Sequence, residues 1–257
     1  MYNRASTTAL NLGWIRMITT VMFDLDGTLV HFEYEDFIKA YLEAVAAKVA
    51  HLTEPRGFVQ QLLLSTDEMI RSLDPTRSNS EVFWDHFPKG LGLPLEEILP
   101  VIDGFYENDF SHICRVLEIT PLPQARSMLQ TLIGQGYDVV IATNPVFPLT
   151  AINERLRWGN IYGLPYRLVT SYEDFSYCKP NRQYYEEILC KLNREPEECI
   201  MIGNNTCEDL VAGDLGITTY LVEDCLLDDG PFRREPDFRG SFSDLVRFIQ
   251  SEKFAGL

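Results

Sequence analysis

Near its start this 257-residue chain runs through six β-branched or apolar residues, Ile18-Thr19-Thr20-Val21-Met22-Phe23, and then turns abruptly polar. Such a run is too short for a buried helix and reads as a buried parallel strand. From Tyr34 the apolar spacing changes to that of a helix. Phe37, Ile38, Tyr41, Leu42, Val45 and Val49 predict a helix over Tyr34–Leu52. Pro55 opens a second helix carrying Phe58, Leu62, Ile70 and Leu73, which Asp74-Pro75 breaks. A shorter helical piece is expected around Ser80–Phe87, then a loop at Gly90-Leu91-Gly92. Pro94 starts another helix with Glu96 and Glu97 in its first turn, as the macrodipole favours. That helix is expected to break near Gly104 and to run on to about Leu117. No strand pattern interrupts residues 32–118, so they read as an all-helical insert.

After the insert, strands and helices alternate. The pattern predicts helices over Pro123–Gly134, Leu149–Trp158, Pro180–Leu192, Glu208–Leu215 and Ser243–Ser251. Between them it predicts strands at Tyr137–Ala142, Arg167–Thr170, Cys199–Ile202 and Ile217–Val222, with Pro231–Gly240 as a loop. That rhythm belongs to an α/β fold with a mainly parallel sheet. Residues 1–31 and 119–257 would form its core, and 32–118 a second domain.

Charge narrows the choice of partner. Lys and Arg number 22 against 38 Asp and Glu, a net charge of −16. This argues against a nucleic-acid or anionic membrane partner. An anionic substrate therefore needs a local cation inside its own site. The six cysteines form no CxxC pair, and no histidine cluster accompanies them, so they read as free thiols of a cytoplasmic protein. No run approaches the length of a membrane span. Residues 1–17 are polar and mixed, carry Arg4 and Arg16, and have no apolar core for a signal peptide. Met17 is an alternative start that would place the first strand almost at the terminus. Oligomeric state is not written in the pattern.

The candidate chemistry sits where the strands end. Asp24 and Asp26, two apart on an extended chain, leave the first strand on one side, and Gly27 lets the backbone turn. Ligands in open α/β sheets bind at this end of the strands. Two carboxylates there can hold a divalent cation, or divide the roles of nucleophile and acid/base. The second strand ends in Thr143-Asn144, whose hydroxyl is a natural phosphate donor. Lys179 stands just before a helix opened by Pro180, an unfavourable place for a cation unless an anion lies between it and the helix end. The fourth strand ends in Gly203-Asn204-Asn205-Thr206-Cys207-Glu208-Asp209, a cluster of oxygen side chains suited to Mg²⁺.

These four pieces, in this order, resemble the haloacid dehalogenase superfamily over about residues 18–250. Asp24 to Thr28 resembles its first motif, Ala142-Thr143-Asn144 its second, Lys179-Pro180 its third and Gly203 to Asp209 its fourth. The resemblance implies a Rossmann-like three-layer core with a helical cap inserted between the first and second motifs. It implies a Mg²⁺-dependent phosphohydrolase acting on a small phosphorylated metabolite. Asp24 would attack phosphorus and form an aspartyl-phosphate, and Asp26 would serve as acid and then base. Thr143, Asn144 and Lys179 would bind the phosphoryl group. Asp24, Asp26, Asn204 and Asp209 would surround the metal. In one respect the chain departs from the family: an acid usually follows the fourth-motif glycine, and here Asn204 stands there without charge. Asp209, with Glu208 beside it, is expected to keep the site usable at weaker metal affinity. A phospholigand-binding protein is the alternative that this change suggests. The dehalogenase branch also carries an asparagine in its fourth motif but lacks the second aspartate of the first. Asp26 would be idle there, because a carbon–halogen bond needs no proton on its leaving group. The aromatic residues of the insert are expected to form its core, with Phe32 and Tyr34 nearest the hinge and His31 solvated beside them.

Overall fold

In the computed structural model, residues 17–228 and 234–257 are described. The expectations for the leading segment that holds Arg4 and Arg16, and for positions 231–233, lie outside them. Strand β1 (Thr20–Phe23) is buried throughout. It pairs in parallel on both sides, with β2 (Asp138–Ile141) and with β4 (Cys199–Gly203). With β3 (Leu168–Val169), β5 (Thr218–Val222) and β6 (Phe238–Gly240) the order is β3-β2-β1-β4-β5-β6, every pairing parallel.

A sheet covered on both faces needs apolar side chains on both, and the central strands supply them by alternation. Val21, Phe23, Val139, Ile141, Ile200 and Ile202 face one layer. Met22, Val140 and Met201 face the other. The first layer holds α6 (Ala125–Gly134), α7 (Leu149–Trp158) and α9 (Phe242–Ile249). On the second face α8 (Arg182–Leu192) packs through Tyr184, Tyr185 and Ile188. The expected three-layer α/β core is therefore present.

Between β1 and α6 the chain makes α1 (Tyr34–Val49), α2 (Pro55–Arg71), α3 (Asn79–Leu91), α4 (Leu95–Asn108) and, after a single 3₁₀ turn at Phe110–His112, α5 (Ile113–Val116). Their starts are chemically marked. Glu54 accepts from the Arg56 and Gly57 amides ahead of Pro55, and Ser78 forms a capping box with Glu81. Two boundaries differ from expectation. Helix α3 runs on through Gly90 and Leu91 because Gly92, at φ +67°, closes it in the left-handed conformation. Gly104 stays inside α4, and the helical pattern breaks instead at Asp109. Further along, the helix expected at Glu208–Leu215 is a 3₁₀ helix over Leu210–Leu215. Strand β6 and α10 (Glu252–Ala255) lie where no element was expected.

Aromatic side chains lock the helical stretch against the sheet layers. Phe37 meets Phe147 at 6.0 Å, and Phe110 stacks on Trp158 at 5.3 Å. Polar ties add direction. The buried Asn79 donates its amide to the Phe175 carbonyl at 2.7 Å, and Asn181 Nδ2 donates to the Ile70 carbonyl at 2.8 Å. Among the described residues no helix is long and apolar enough to cross a membrane.

Candidate active site

The first strand ends at Asp24, whose amide donates to the Ile202 carbonyl of β4 at 2.8 Å. That bond fixes the start of the loop against the neighbouring strand. Leu25 is fully buried, and its carbonyl accepts from the amides of Thr28, Leu29 and Val30. Asp24 and Asp26 therefore emerge together, and both line a cavity of about 320 Å³ that also reaches Thr143, Asn144, Asn204 and Glu208. Gly27 is required where it stands. Its φ is +80°, and a Cβ there would lie 2.2 Å from Asn204 Nδ2.

Lys179 reaches the same place from the far side of the sheet. It is fully buried, and its Nζ donates to Asp24 Oδ1 at 2.8 Å and to Asp209 Oδ1 at 2.6 Å. The sequence suggested an anion between this lysine and a helix end. Instead α8 begins at Arg182, and the carboxylates of Asp24 and Asp209 compensate the ammonium. Asp209 is held further, its Oδ2 accepting from the Asn205 amide at 2.9 Å. Gly203 makes room for this, since a Cβ there would meet Asp209 Oδ2 at 2.1 Å.

Thr143 is 3% exposed, and its carbonyl accepts from Thr170 Oγ1 at 2.6 Å and from the Tyr184 hydroxyl at 2.9 Å. Those two bonds fix the backbone that presents its side chain to the cavity. Asn144 braces Lys179. Its Oδ1 accepts from the Lys179 amide at 3.2 Å, and its Nδ2 donates to Glu208 Oε1 at 3.0 Å. Asn204 is oriented without ambiguity, because Thr28 Oγ1 donates to its Oδ1 at 2.9 Å and its Nδ2 donates to the Cys225 carbonyl at 2.6 Å. A flipped amide would set two carbonyl oxygens against each other.

Sequence reasoning missed Arg155. This residue of α7 is 1% exposed and pairs through Nη1 with Asp26 Oδ2, while its guanidinium lies 4.6 Å from the Phe147 ring. A signal was available: Arg155 falls on the apolar stripe formed by Ala151, Ile152 and Leu156, where a cation needs a buried partner. Near the hinge, Tyr34 lines the cavity. Phe32 packs on Phe37, and His31, only partly exposed, meets Phe242 edge-on.

Burial sets the electrostatics. It pushes Asp24 up to about 8, against the pull of Lys179. Asp26 is raised for the same reason, and Arg155 opposes the rise. Burial alone would lower Lys179, but the Asp209 and Asp24 carboxylates outweigh it and hold the ammonium well above its ordinary range.

The donors for a metal are few. Among the described residues no group of three or more His, Cys, Asp and Glu is placed to hold one. Asp209 has both oxygens engaged. Asp24, Asp26 and Asn204 nevertheless bring oxygens to the same cavity, and Asp26 Oδ1 is buried there without a hydrogen-bond partner, so that the Asp26 backbone carbonyl, the Asp24 carboxylate and Asn204 are the donors left for a metal if Oδ1 keeps a proton. This set fits a hard cation that takes its remaining ligands from water and a bound anion, which is how Mg²⁺ is commonly held. The arrangement as a whole places the Asp24 carboxylate beside a fixed ammonium and a second carboxylate, a constellation suited to displacement on an anionic substrate.

Known proteins share this plan. Solved structures that align over about nine-tenths of the chain include L-2-haloacid dehalogenase from Xanthobacter autotrophicus (TM-score 0.57, 18% identity, 91% of this chain and 99% of that one). They also include a predicted phosphoglycolate phosphatase from Haemophilus somnus (TM-score 0.54, 16% identity, 91% and 98%). At such identities the likeness shows the fold. In sequence the chain is 24% identical over 237 residues to the pyrophosphatase PpaX of Halalkalibacterium halodurans, covering 90% of this chain and 97% of the relative. It is 28% identical over 208 residues to the glyceraldehyde 3-phosphate phosphatase of Methanothermobacter thermautotrophicus, covering 80% and 86%. The model of the haloacid dehalogenase-like hydrolases matches residues 18–213, all four strand-end motifs included, and the chain belongs to that family.

Proposed function

We propose that this hydrolase is a cytoplasmic phosphatase that cleaves phosphate monoesters of small metabolites through an aspartyl-phosphate. One observation carries the reading: Asp24 lines one cavity with Asp26 and Thr143, and directly behind it the buried ammonium of Lys179 bridges Asp24 and Asp209. In this reading 1–31 and 119–257 are the catalytic core, and 32–118 is a cap over it. The free state of all six cysteines accords with a reducing compartment.

The chemistry runs through the chain's own side chains. An oxygen of Asp24 attacks phosphorus, a bond forms between them, and the ester P–O bond breaks. The departing alkoxide takes a proton from Asp26. Arg155 holds Asp26 by Oδ2, which leaves the unpaired Oδ1 to carry that proton. Asp26, now ionised, accepts a proton from water as the water attacks the aspartyl-phosphate, and inorganic phosphate leaves with Asp24 restored. Thr143 and Asn144 steady the phosphoryl oxygens, and Lys179 neutralises their charge. Mg²⁺, when bound by the Asp24 carboxylate, the Asp26 backbone carbonyl and Asn204 with Asp209 behind them, would supply a further positive charge against those oxygens. Asn204 brings no charge of its own, so that binding is weak.

The test is phosphate release from an aryl phosphate and a metabolite panel, with and without Mg²⁺, by the protein and by its Asp24→Asn variant. Release that disappears with Asp24→Asn supports the reading. If no substrate is turned over in an Asp24-dependent way, Asn204 becomes the telling residue, and the chain is a phospholigand-binding protein. A halogenated acid as the sole substrate would assign it to the dehalogenases, although the Arg155–Asp26 pair has no task in that reaction.

A further inference from the structure

Beyond the carboxylates, the cavity is walled by Ile38 and Leu42 of α1, by Leu62, Leu63 and Ile70 of α2, and by Phe147. Of the hydroxyl side chains that α1 and α2 bring to the cavity, Thr66 and Tyr41 are already engaged. Thr66 Oγ1 donates to the Leu62 carbonyl at 2.9 Å, and the Tyr41 and Tyr106 hydroxyls share a bond of 2.8 Å. Lys179 is engaged with Asp24 and Asp209, and Arg155 pairs with Asp26 through Nη1 while the rest of its guanidinium, Nε and Nη2 without a hydrogen-bond partner among the described residues, lies against the Phe37 and Phe147 rings. A substrate with a polyol tail or a second anionic group would bury polar atoms against hydrocarbon, which costs free energy unless they are paired. An alkyl or aryl-alkyl group would gain by the same burial.

The apolar lining does not stop at the cavity. Tyr34, Ile38, Leu42 and Leu63 also wall an open groove of about 840 Å³ between α1 and α2. The cavity and the groove share these four side chains, so the second apolar surface adjoins the first.

We infer that the leaving group is apolar, so that the substrate is the phosphate monoester of an aliphatic or aryl-alkyl alcohol. Its phosphoryl group lies at Asp24, and its hydrocarbon lies against α1 and α2. The inference rests on the phosphohydrolase reading and narrows it. The ester P–O bond breaks, Asp24 takes the phosphoryl group, and the alcohol leaves with the proton from Asp26. Water then returns Asp24 to its free form.

The experiment is a homologous series of ethyl, butyl, hexyl and octyl phosphates beside glycerol phosphate and pyrophosphate, with phosphate release measured on the full chain in Mg²⁺. The value of kcat/KM should climb about fourfold for each added methylene until the apolar space is filled. Glycerol phosphate should fall roughly tenfold or more below butyl phosphate, because its hydroxyls would lie against the hydrocarbon of α1 and α2. The Leu63→Gln variant should flatten the climb; Leu63 is 50% exposed, so α2 tolerates the change. A flat or falling series, or pyrophosphate or glycerol phosphate as the better substrate in an Asp24-dependent reaction, overturns the inference and leaves the phosphohydrolase reading standing. No Asp24-dependent release from any member removes both.

Discussion

Replacing Lys179 with methionine should destabilise the folded protein strongly, and acid should relieve the loss. Lys179 is fully buried, and its side-chain partners Asp24 and Asp209 are 12% and 2% exposed. At its distances of 2.8 and 2.6 Å, each contact amounts to about 6 kcal/mol of attraction at an effective dielectric of about 20. Most of that is offset by the cost of taking the charges out of water. Removing one partner, however, leaves the others buried and uncompensated, at a cost of about 3–5 kcal/mol. In a chain of this size that lowers the thermal midpoint by roughly 10 °C. Methionine fills a similar space, so little of the loss comes from packing. In the variant, Asp24 and Asp209 face each other as like charges with no cation. Burial already holds Asp24 at about 8 against the pull of Lys179; without that pull it rises further, so ionising it opposes folding more than in the parent. The deficit is therefore largest on the alkaline side of that value and shrinks as pH falls through it. Adding Asp209→Asn to Lys179→Met should recover part of it. Thermal melts of the parent and the two variants between pH 9 and 6 measure this directly. A Lys179→Met midpoint within 2 °C of the parent at pH 9, or a deficit that does not change with pH, would refute the buried-charge account.

Other substitutions probe the same site. Asn204→Asp adds an anion beside Asp24, so calorimetric titration should show tighter Mg²⁺ binding; equal or weaker binding removes Asn204 from the metal site. Gly27→Ala puts a methyl group 2.2 Å from Asn204 Nδ2 at φ +80°, while Asn204 is held by two hydrogen bonds and cannot swing aside. It should cost about 2 kcal/mol or more in urea unfolding, and an unchanged midpoint would contradict the geometry. Arg155→Met removes the guanidinium that lowers Asp26. The alkaline limb of the kcat/KM profile, assigned to protonated Asp26, should then move to higher pH; a limb that stays or moves down shows that another group titrates there.

The parts of the fold legible in advance were those whose own residues decide their conformation. The apolar runs at Val21-Met22-Phe23 and Ile200-Met201-Ile202 can only be covered strands, and the stripe along Leu149–Trp158 matches α7 at both ends. Strand β6 was not legible, because β5 imposes it. Phe238, Arg239 and Gly240 pair with Tyr220, Leu221 and Val222, but they carry no alternation and follow a proline- and charge-rich stretch. The end of α3 was misjudged because two glycines compete there, and only tertiary contact shows that Gly92 rather than Gly90 takes the left-handed turn. At the site, the order of the strand-end polar clusters was readable, and their mutual distances were not. Lys179 owes its burial to Asp24 and Asp209, residues remote in sequence, whereas local reasoning looked to the adjacent helix. Arg155 escaped notice because a helix read for its apolar face hides the one cation on it.

The strand order has a consequence for the newborn chain. Phe23 is flanked by Ile141 on one side and by Ile202 on the other, and the ammonium that faces Asp24 also needs Asp209. During synthesis the helices from Tyr34 to Val116 can gather through local contacts, while the first strand waits for neighbours not yet made. Until Asp209 has left the ribosome, Asp24 is an ordinary solvated carboxylate. Chains released early therefore carry Asp24 but not the assembled site, and translation itself withholds that site until the sheet can close around its middle strand.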